Sequence, residues 1–99
     1  MIKKAYRKNS KFCRTTFRFS PEAAPDSADN VQILGDFNSW EGAPMEKRKN
    51  GTFSTTISLE VGKSYEFRYL VNDQEWVNDT EADSYVFGPF GAQNAVVEV

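Results

Sequence analysis

The sequence predicts an all-β protein, an antiparallel β-sandwich of about seven or eight strands. Three observations carry that expectation. Apolar and polar residues alternate over short stretches, turn-forming residues recur about every eight to twelve positions, and no segment sustains a helical period. Ninety-nine residues, 39% hydrophobic and 14% aromatic, can fill one core without disulfides and leave no room for a second domain.

Lys11 to Phe19, KFCRTTFRF, is the first strand, with Cys13, Thr15, Phe17 and Phe19 on one face and Phe12, Arg14, Thr16 and Arg18 on the other. Cys13 has no disulfide partner and suits a small buried site. Ser20 to Asn30 holds prolines, small residues and turn formers, and reads as the one long loop, with a short helical turn around Pro21-Glu22-Ala23-Ala24. Val31 to Trp40, VQILGDFNSW, is the stretch around which the rest of the chain is organised: Val31 and Ile33 alternate with Gln32 as a strand, and Gly35 to Ser39 turn the chain sharply. Phe37 anchors the turn in the core, Asp36, Asn38 and Ser39 satisfy loop amides, and Trp40 either caps the core or stands out as an apolar platform.

Met45-Glu46-Lys47 forms a short strand that enters a hairpin at Asn50-Gly51. In the next strand Phe53, Thr55, Ile57 and Leu59 form the dry face, opposite Thr52, Ser54, Thr56 and Ser58. After a turn at Glu60 to Lys63, Tyr65, Phe67, Tyr69 and Val71 face inward, while Glu66, Arg68 and Leu70 face outward. Asn72-Asp73-Gln74 turns the chain back into Trp76 and Val77, because Asn and Asp tolerate left-handed backbone angles. A polar loop from Asn78 to Ser84, a short apolar piece Tyr85-Val86-Phe87, a turn at Gly88 to Gly91 and a last strand from Ala95 to Val99 complete the chain.

The net charge of −2 hides an uneven distribution. Lys3, Lys4, Arg7, Lys8, Lys11, Arg14 and Arg18 all precede the first acid, Glu22, so residues 1–10 read as a basic amino-terminal arm before a single domain at 11–99. The arm is either a solubilising tail with an edge strand beyond it or a contact for an anionic partner. No nucleic-acid motif follows it and the remaining surface is acidic, which argues against nucleic acid. Met1 is followed directly by Ile2-Lys3-Lys4, without an apolar run suited to a signal peptide or membrane span, and the chain reads as cytoplasmic.

Several chemistries find no support. The chain has no histidine, and Cys13 has no base beside it in sequence, so Ser-His and Cys-His nucleophiles fail. Asp79, Glu81 and Asp83 match part of a calcium loop but lack its glycine and terminal glutamate, and read as turn-forming acids. The glycines are too dispersed to cradle a phosphate. Neither a metal nor a cofactor is expected, and catalysis is not expected. The residues the chain does contain suit a sugar: a pyranose lays its apolar face on an indole while its hydroxyls meet amide or guanidinium groups. Trp40, Trp76, Arg68 and Asn94 supply both kinds of contact, and Arg68 is placed at the surface by its inward-facing neighbours. Composition alone leaves each indole open between core and platform.

VQILGDFNSW, the hairpin Gly51, YEFRYLV, Trp76 followed by Asp79, and the closing FGAQNAVVEV together resemble carbohydrate-binding module family 48, the isoamylase early-set domain. The likeness runs from about Lys11 to Val99, and the ordered pair GDFNxW and FGxxN is its most specific part. It implies an immunoglobulin-like sandwich of early-set type, as found in glycogen branching and debranching enzymes and in the glycogen-binding domain of the AMP-activated protein kinase β subunit. Carried over, Trp40 and Trp76 would be stacking platforms, Arg68 would stand where the kinase domain has lysine, and Asn94 would bind hydroxyls. Phe90 would take the place of a leucine that reaches into the curve of the glucan. The implied function is a non-catalytic module, without an attached catalytic domain, that binds α-1,4-linked glucan such as glycogen or maltooligosaccharide. The alternative is a protein-interaction or structural domain that docks on a separately encoded glycogen-metabolising enzyme of glycoside hydrolase family 13 type, or on another partner.

Overall fold

The computed structural model of the protein describes residues 2–20, 28–79, 81–88 and 93–99. Among them ten strands follow one another: β1 (Ile2–Tyr6), β2 (Phe12–Phe19), β3 (Val31–Gly35), β4 (Ala43–Pro44), β5 (Glu46–Lys47), β6 (Phe53–Glu60), β7 (Ser64–Val71), β8 (Glu75–Val77), β9 (Ser84–Phe87) and β10 (Gln93–Glu98). A 3-10 turn, Asp36–Asn38, follows β3. The strands form two antiparallel sheets, β1-β2-β6-β5 and β4-β3-β7-β10-β9, and β8 also pairs with β7.

The sandwich expected from the alternation is therefore present, with more strands than about seven or eight. Part of the excess is β4, of 2 residues and too short to leave a periodic trace, whereas β5 falls within the short strand expected at Met45-Glu46-Lys47. The rest is β1: Lys3 and Lys4, inside the segment read as a basic arm, belong to an edge strand paired with β2 from Ile2↔Phe17 to Tyr6↔Cys13. Lysines are common on such edges because their charge discourages further strands from adding. The helical turn expected at Pro21 to Ala24 lies outside the described residues.

Burial follows the period of two. Cys13, Thr15, Phe17 and Phe19 of β2 are buried and alternate with Phe12, Arg14 and Arg18, which are exposed. Phe67, Tyr69 and Val71 of β7 meet them from the other sheet, with Phe17 and Phe67 in an edge-to-face contact at 5.0 Å and Phe19 and Tyr69 at 5.2 Å. Each fully buried large side chain contributes about 1.5–3 kcal/mol relative to exposure, so this aromatic seam dominates the core. Ser54 departs from the expected pattern: it lies on the polar side of β6 yet is buried, because Arg48 Nε reaches over to its hydroxyl at 2.7 Å.

Tyr69 brings its hydroxyl into the core and needs a partner there. It donates to Asp79 Oδ2 at 2.7 Å, and Asp79 Oδ1 accepts the Glu81 amide at 2.7 Å. Burial, then the Asp79 charge, pushes the Tyr69 phenol well above its ordinary range, so it remains a donor. Asp79 is thus a buried turn former. Among the described residues no group of three acidic or thiol side chains could hold a metal, and no helix is long and apolar enough to cross a membrane.

Lys4 ties the two sheets together: its ammonium lies 2.7 Å from Asp83 Oδ2, which also accepts the Glu98 amide at 2.8 Å. Burial pushes the Asp83 carboxyl up, but the Glu98 amide and the Lys4 charge outweigh it and hold it below its ordinary value. A lowered folded-state value stabilises the fold above the unfolded carboxylate pKa, about 3.9, and that stability is lost as the pH falls further through the folded value. Unfolding free energies from urea titration of the natural protein and Lys4→Ala are therefore expected to differ near neutrality, by up to about 1 kcal/mol for so exposed a pair, and to converge as the pH falls through the lowered Asp83 value.

Candidate functional site

Residues that face each other across an antiparallel ladder share one side of the sheet. On the outward side of the larger sheet, Gln32, Leu70 and Trp76 are aligned across β3, β7 and β8, and Leu34 is aligned with Arg68. Farther across, Asn94 pairs with Val86, and Val96 with both Glu66 and Ser84. β10 accompanies β7 only up to Phe67, and β8 takes over at Tyr69 on the same edge. Arg68 sits at that change of partner, with Trp76 on one side and Asn94 on the other.

Trp76 is 45% exposed, on the short strand β8 at the sheet margin. The Arg68 guanidinium lies 5.3 Å from the centre of its ring, a cation–π stack that holds the indole and occupies one of its faces. Arg68 Nε is buried without a hydrogen-bond partner among the described residues. Leu34 and Val96 are nearly buried under this surface although they face outward, and form its apolar floor.

Trp40 arrives from a loop, and the loop is built from close contacts. A Cβ on Gly35 would lie 2.6 Å from the Glu66 carbonyl oxygen and 2.8 Å from Phe67 Cβ, so β3 can run this close to β7 only with glycine there. Phe37 then packs its ring 5.6 Å from Phe17 and pins the 3-10 turn to the core. Asn38 replaces missing backbone bonds: its amide donates to the Ile33 carbonyl at 3.0 Å and its oxygen accepts the Gly35 N–H at 3.0 Å. Ser39 and Trp40 both adopt left-handed angles, φ 57 and 58. Each such residue costs roughly 1–2 kcal/mol, offset here by fixed contacts that include the Trp40 N–H bond to the Gly35 carbonyl at 3.0 Å. At Gly42, φ 83, the chain returns across Gln32 and Leu34, where a side chain would collide with Gln32 Oε1. The Trp40 loop thus lies against the outward side of β3.

The indole itself is tethered. Trp40 Nε1 donates to Asp36 Oδ1 at 3.0 Å, and Asp36 Oδ2 accepts the Glu66 backbone N–H at 2.8 Å, just past the last β3–β7 pair. Glu66 Oε1 in turn accepts Asn94 Nδ2 at 3.2 Å.

Four of the five residues singled out in the sequence, Trp40, Arg68, Trp76 and Asn94, therefore belong to one side of one sheet and its adjoining loop. Phe90 lies outside the described residues. The indoles resolve as a half-buried ring on a loop and an exposed ring on a margin, and neither belongs to the core cluster. Asp36 and Glu66, which hold Trp40 and Asn94, had no signal beyond their types: Asp36 reads as a turn residue and Glu66 as an outward-facing polar position.

An antiparallel sandwich with rings, a guanidinium and an amide on one sheet face defines a recognition module. A family model described as the glycogen recognition site of AMP-activated protein kinase matches residues 15–99, and the chain belongs to that family. The 1,4-alpha-glucan branching enzyme of Synechococcus elongatus is 50% identical over 64 residues, 62% of this chain and 8% of that enzyme. Protein PTST homolog 2, chloroplastic, of Arabidopsis thaliana is 39% identical over 56 residues, 56% of this chain and 10% of that protein. The branching enzyme of Synechocystis is 41% identical over 64 residues, 62% of this chain and 8% of that enzyme. The chain thus spans only about a tenth of the length of these relatives.

Gly35→Ala tests the close approach that shapes this loop. The added methyl has backbone on one side and a core ring on the other, and is expected to destabilise the protein by about 1–3 kcal/mol, read from urea unfolding.

Proposed function

We propose that this chain is a non-catalytic, cytoplasmic module that binds α-1,4-linked glucan, such as glycogen or a maltooligosaccharide. The observation that carries the reading is the convergence of Trp40, Arg68, Trp76 and Asn94 on one outward sheet face in a chain of the glycogen-recognition family. A glucan chain would lay the apolar faces of successive residues on the exposed Trp76 ring and on Trp40. The Arg68 guanidinium and the Asn94 amide would meet its hydroxyls, and Phe90 joins the proposed site through the family resemblance. The branching-enzyme relatives support the polymer by their names, which specify a 1,4-alpha-glucan.

Because so shallow a face buries few hydroxyl contacts, the affinity falls in the roughly micromolar to millimolar range. In a titration with maltoheptaose followed by tryptophan fluorescence, the natural protein is expected to show saturable change. Trp40→Ala and Trp76→Ala, each shown to be folded, should weaken binding at least about tenfold, equivalent to about 1.4 kcal/mol. Absence of a response at high millimolar sugar would remove the reading.

A second reading is favoured by a separate observation. β9 is the outer strand of the larger sheet, all of its residues are exposed, and Phe87 is 78% exposed. The other sheet edges carry Lys3 and Lys4 on β1, Pro44 on β4, Glu46 and Lys47 on β5, and Glu75 on the short β8, residues that discourage strand addition. β9 has none, and so suits docking on a separately encoded glycogen-metabolising enzyme by strand addition. Co-sedimentation with a purified glucan-branching enzyme that is abolished in Val86→Lys would support it; retention by that variant would count against it.

A further inference from the structure

We propose that Asp36 and Glu66 are positioning residues that orient the Trp40 ring and the Asn94 amide for a glucan chain, through one hydrogen-bonded path that crosses β7. The inference rests on the glucan-binding reading and assigns to it two residues that need not touch the sugar. The path is continuous: Trp40 Nε1 to Asp36 Oδ1 at 3.0 Å, the Glu66 N–H to Asp36 Oδ2 at 2.8 Å, and Asn94 Nδ2 to Glu66 Oε1 at 3.2 Å.

Each link removes a specific freedom. Trp40 stands on a loop, half-buried and outside the core cluster, and its indole is held by a side-chain hydrogen bond. The Asp36 carboxylate fixes the edge of the ring that carries Nε1, and consumes the indole N–H, so Trp40 is left to act by its π-face. Asp36 is held in turn by a backbone donor on β7, the most interior strand of the sheet. At Asn94 the logic is chemical. A carboxylate only accepts, so the amide nitrogen must turn toward Glu66 and the amide oxygen away from it. Glu66 thereby decides which end of Asn94 acts as the acceptor for a sugar hydroxyl. A stacking surface and an amide on separate strands are useful only at a fixed separation, and Glu66 ties both to one residue of β7.

Two measurements test this, one of them independent of sugar. In a Trp76→Phe protein Trp40 is the only indole, and iodide quenching reports how it is held. Asp36→Ala in that background is expected to raise the quenching constant about twofold or more, and Asp36→Asn, which keeps an acceptor for Nε1, should raise it less. In the protein with both indoles, Asp36→Ala and Glu66→Ala are expected to weaken maltoheptaose binding about fivefold, while Glu66→Gln, which keeps an acceptor for Asn94 but can also donate to a flipped amide, should weaken it less. A structural role alone would not produce the coupling: if Asp36 acts through Trp40, Asp36→Ala adds less than about twofold in a Trp40→Ala background. Unchanged quenching, or an equal loss with and without Trp40, overturns the inference. Natural protein that binds and an Asp36→Ala protein that binds equally well overturns it alone; natural protein that never binds overturns it together with the glucan-binding reading. Asp36→Asn serves wherever the alanine variant does not fold.

Discussion

The close passage of Gly35 against β7 is the contact on which the site depends. With no Cβ there, the end of β3 lies against the Glu66 carbonyl and the Phe67 side chain, and Phe37 fits its ring into the same corner. The approach brings the Asp36 carboxylate to the Glu66 N–H, which β3 no longer pairs, and Asp36 then reaches back to Trp40. A larger residue would separate β3 from β7 just where the loop begins. The left-handed angles at Ser39 and Trp40 are tolerable because this corner is pinned on both sides, by Phe37 in the core and by Asn38 on the strand carbonyl.

The second organising feature is the change of partner along β7. An uninterrupted neighbour on that edge would have continued a regular ladder past Arg68. Instead β10 ends its pairing at Phe67 and β8 begins at Tyr69, joined through the Asn78 amide, which donates to the Gln93 carbonyl at 2.6 Å. Three side chains of different chemistry thus converge from three strands: an indole, a guanidinium and an amide. The polar loop that makes this possible is anchored beneath by Asp79, whose carboxylate meets the Tyr69 hydroxyl and whose carbonyl accepts the Tyr85 hydroxyl at 2.6 Å. Core and recognition face are therefore connected through the loop between β8 and β9.

The two faces of the larger sheet divide the work. The inner one carries Phe67, Tyr69, Val71, Ala95 and Val97 and supplies stability; the outer carries rings and polar groups. Such a division fits a module that adheres to a polymer with many repeated units, where weak single contacts are multiplied by recurrence. Its matches to about a tenth of much longer branching enzymes are consistent with a sandwich that serves as one part among several in its relatives.

The period of two in β2, β6 and β7 was sufficient to assign their inward faces, because a strand with one dry side has no other way to bury Phe17, Phe53 and Phe67. The turns at Asn50-Gly51 and Asn72-Asp73 were equally plain: Gly51, Asn72 and Asp73 take the positive φ that such residues accept at low cost. The ordered motifs were enough to indicate the family. The amino-terminal residues were less legible, since a row of lysines looks the same in a tail and in an edge strand, and only the β1–β2 pairing distinguishes them. The site was legible as residue types and not as geometry. Whether an indole is core or platform depends on which strands flank it, and the Asp36 and Glu66 links join residues 30 positions apart. Local pattern thus determined the strands, their inward faces and the turns, because those arise from the chemistry of adjacent residues. The exposure of Trp76, the tether on Trp40 and the meeting of Arg68 with Asn94 were decided by tertiary structure, because each depends on how distant strands come into register.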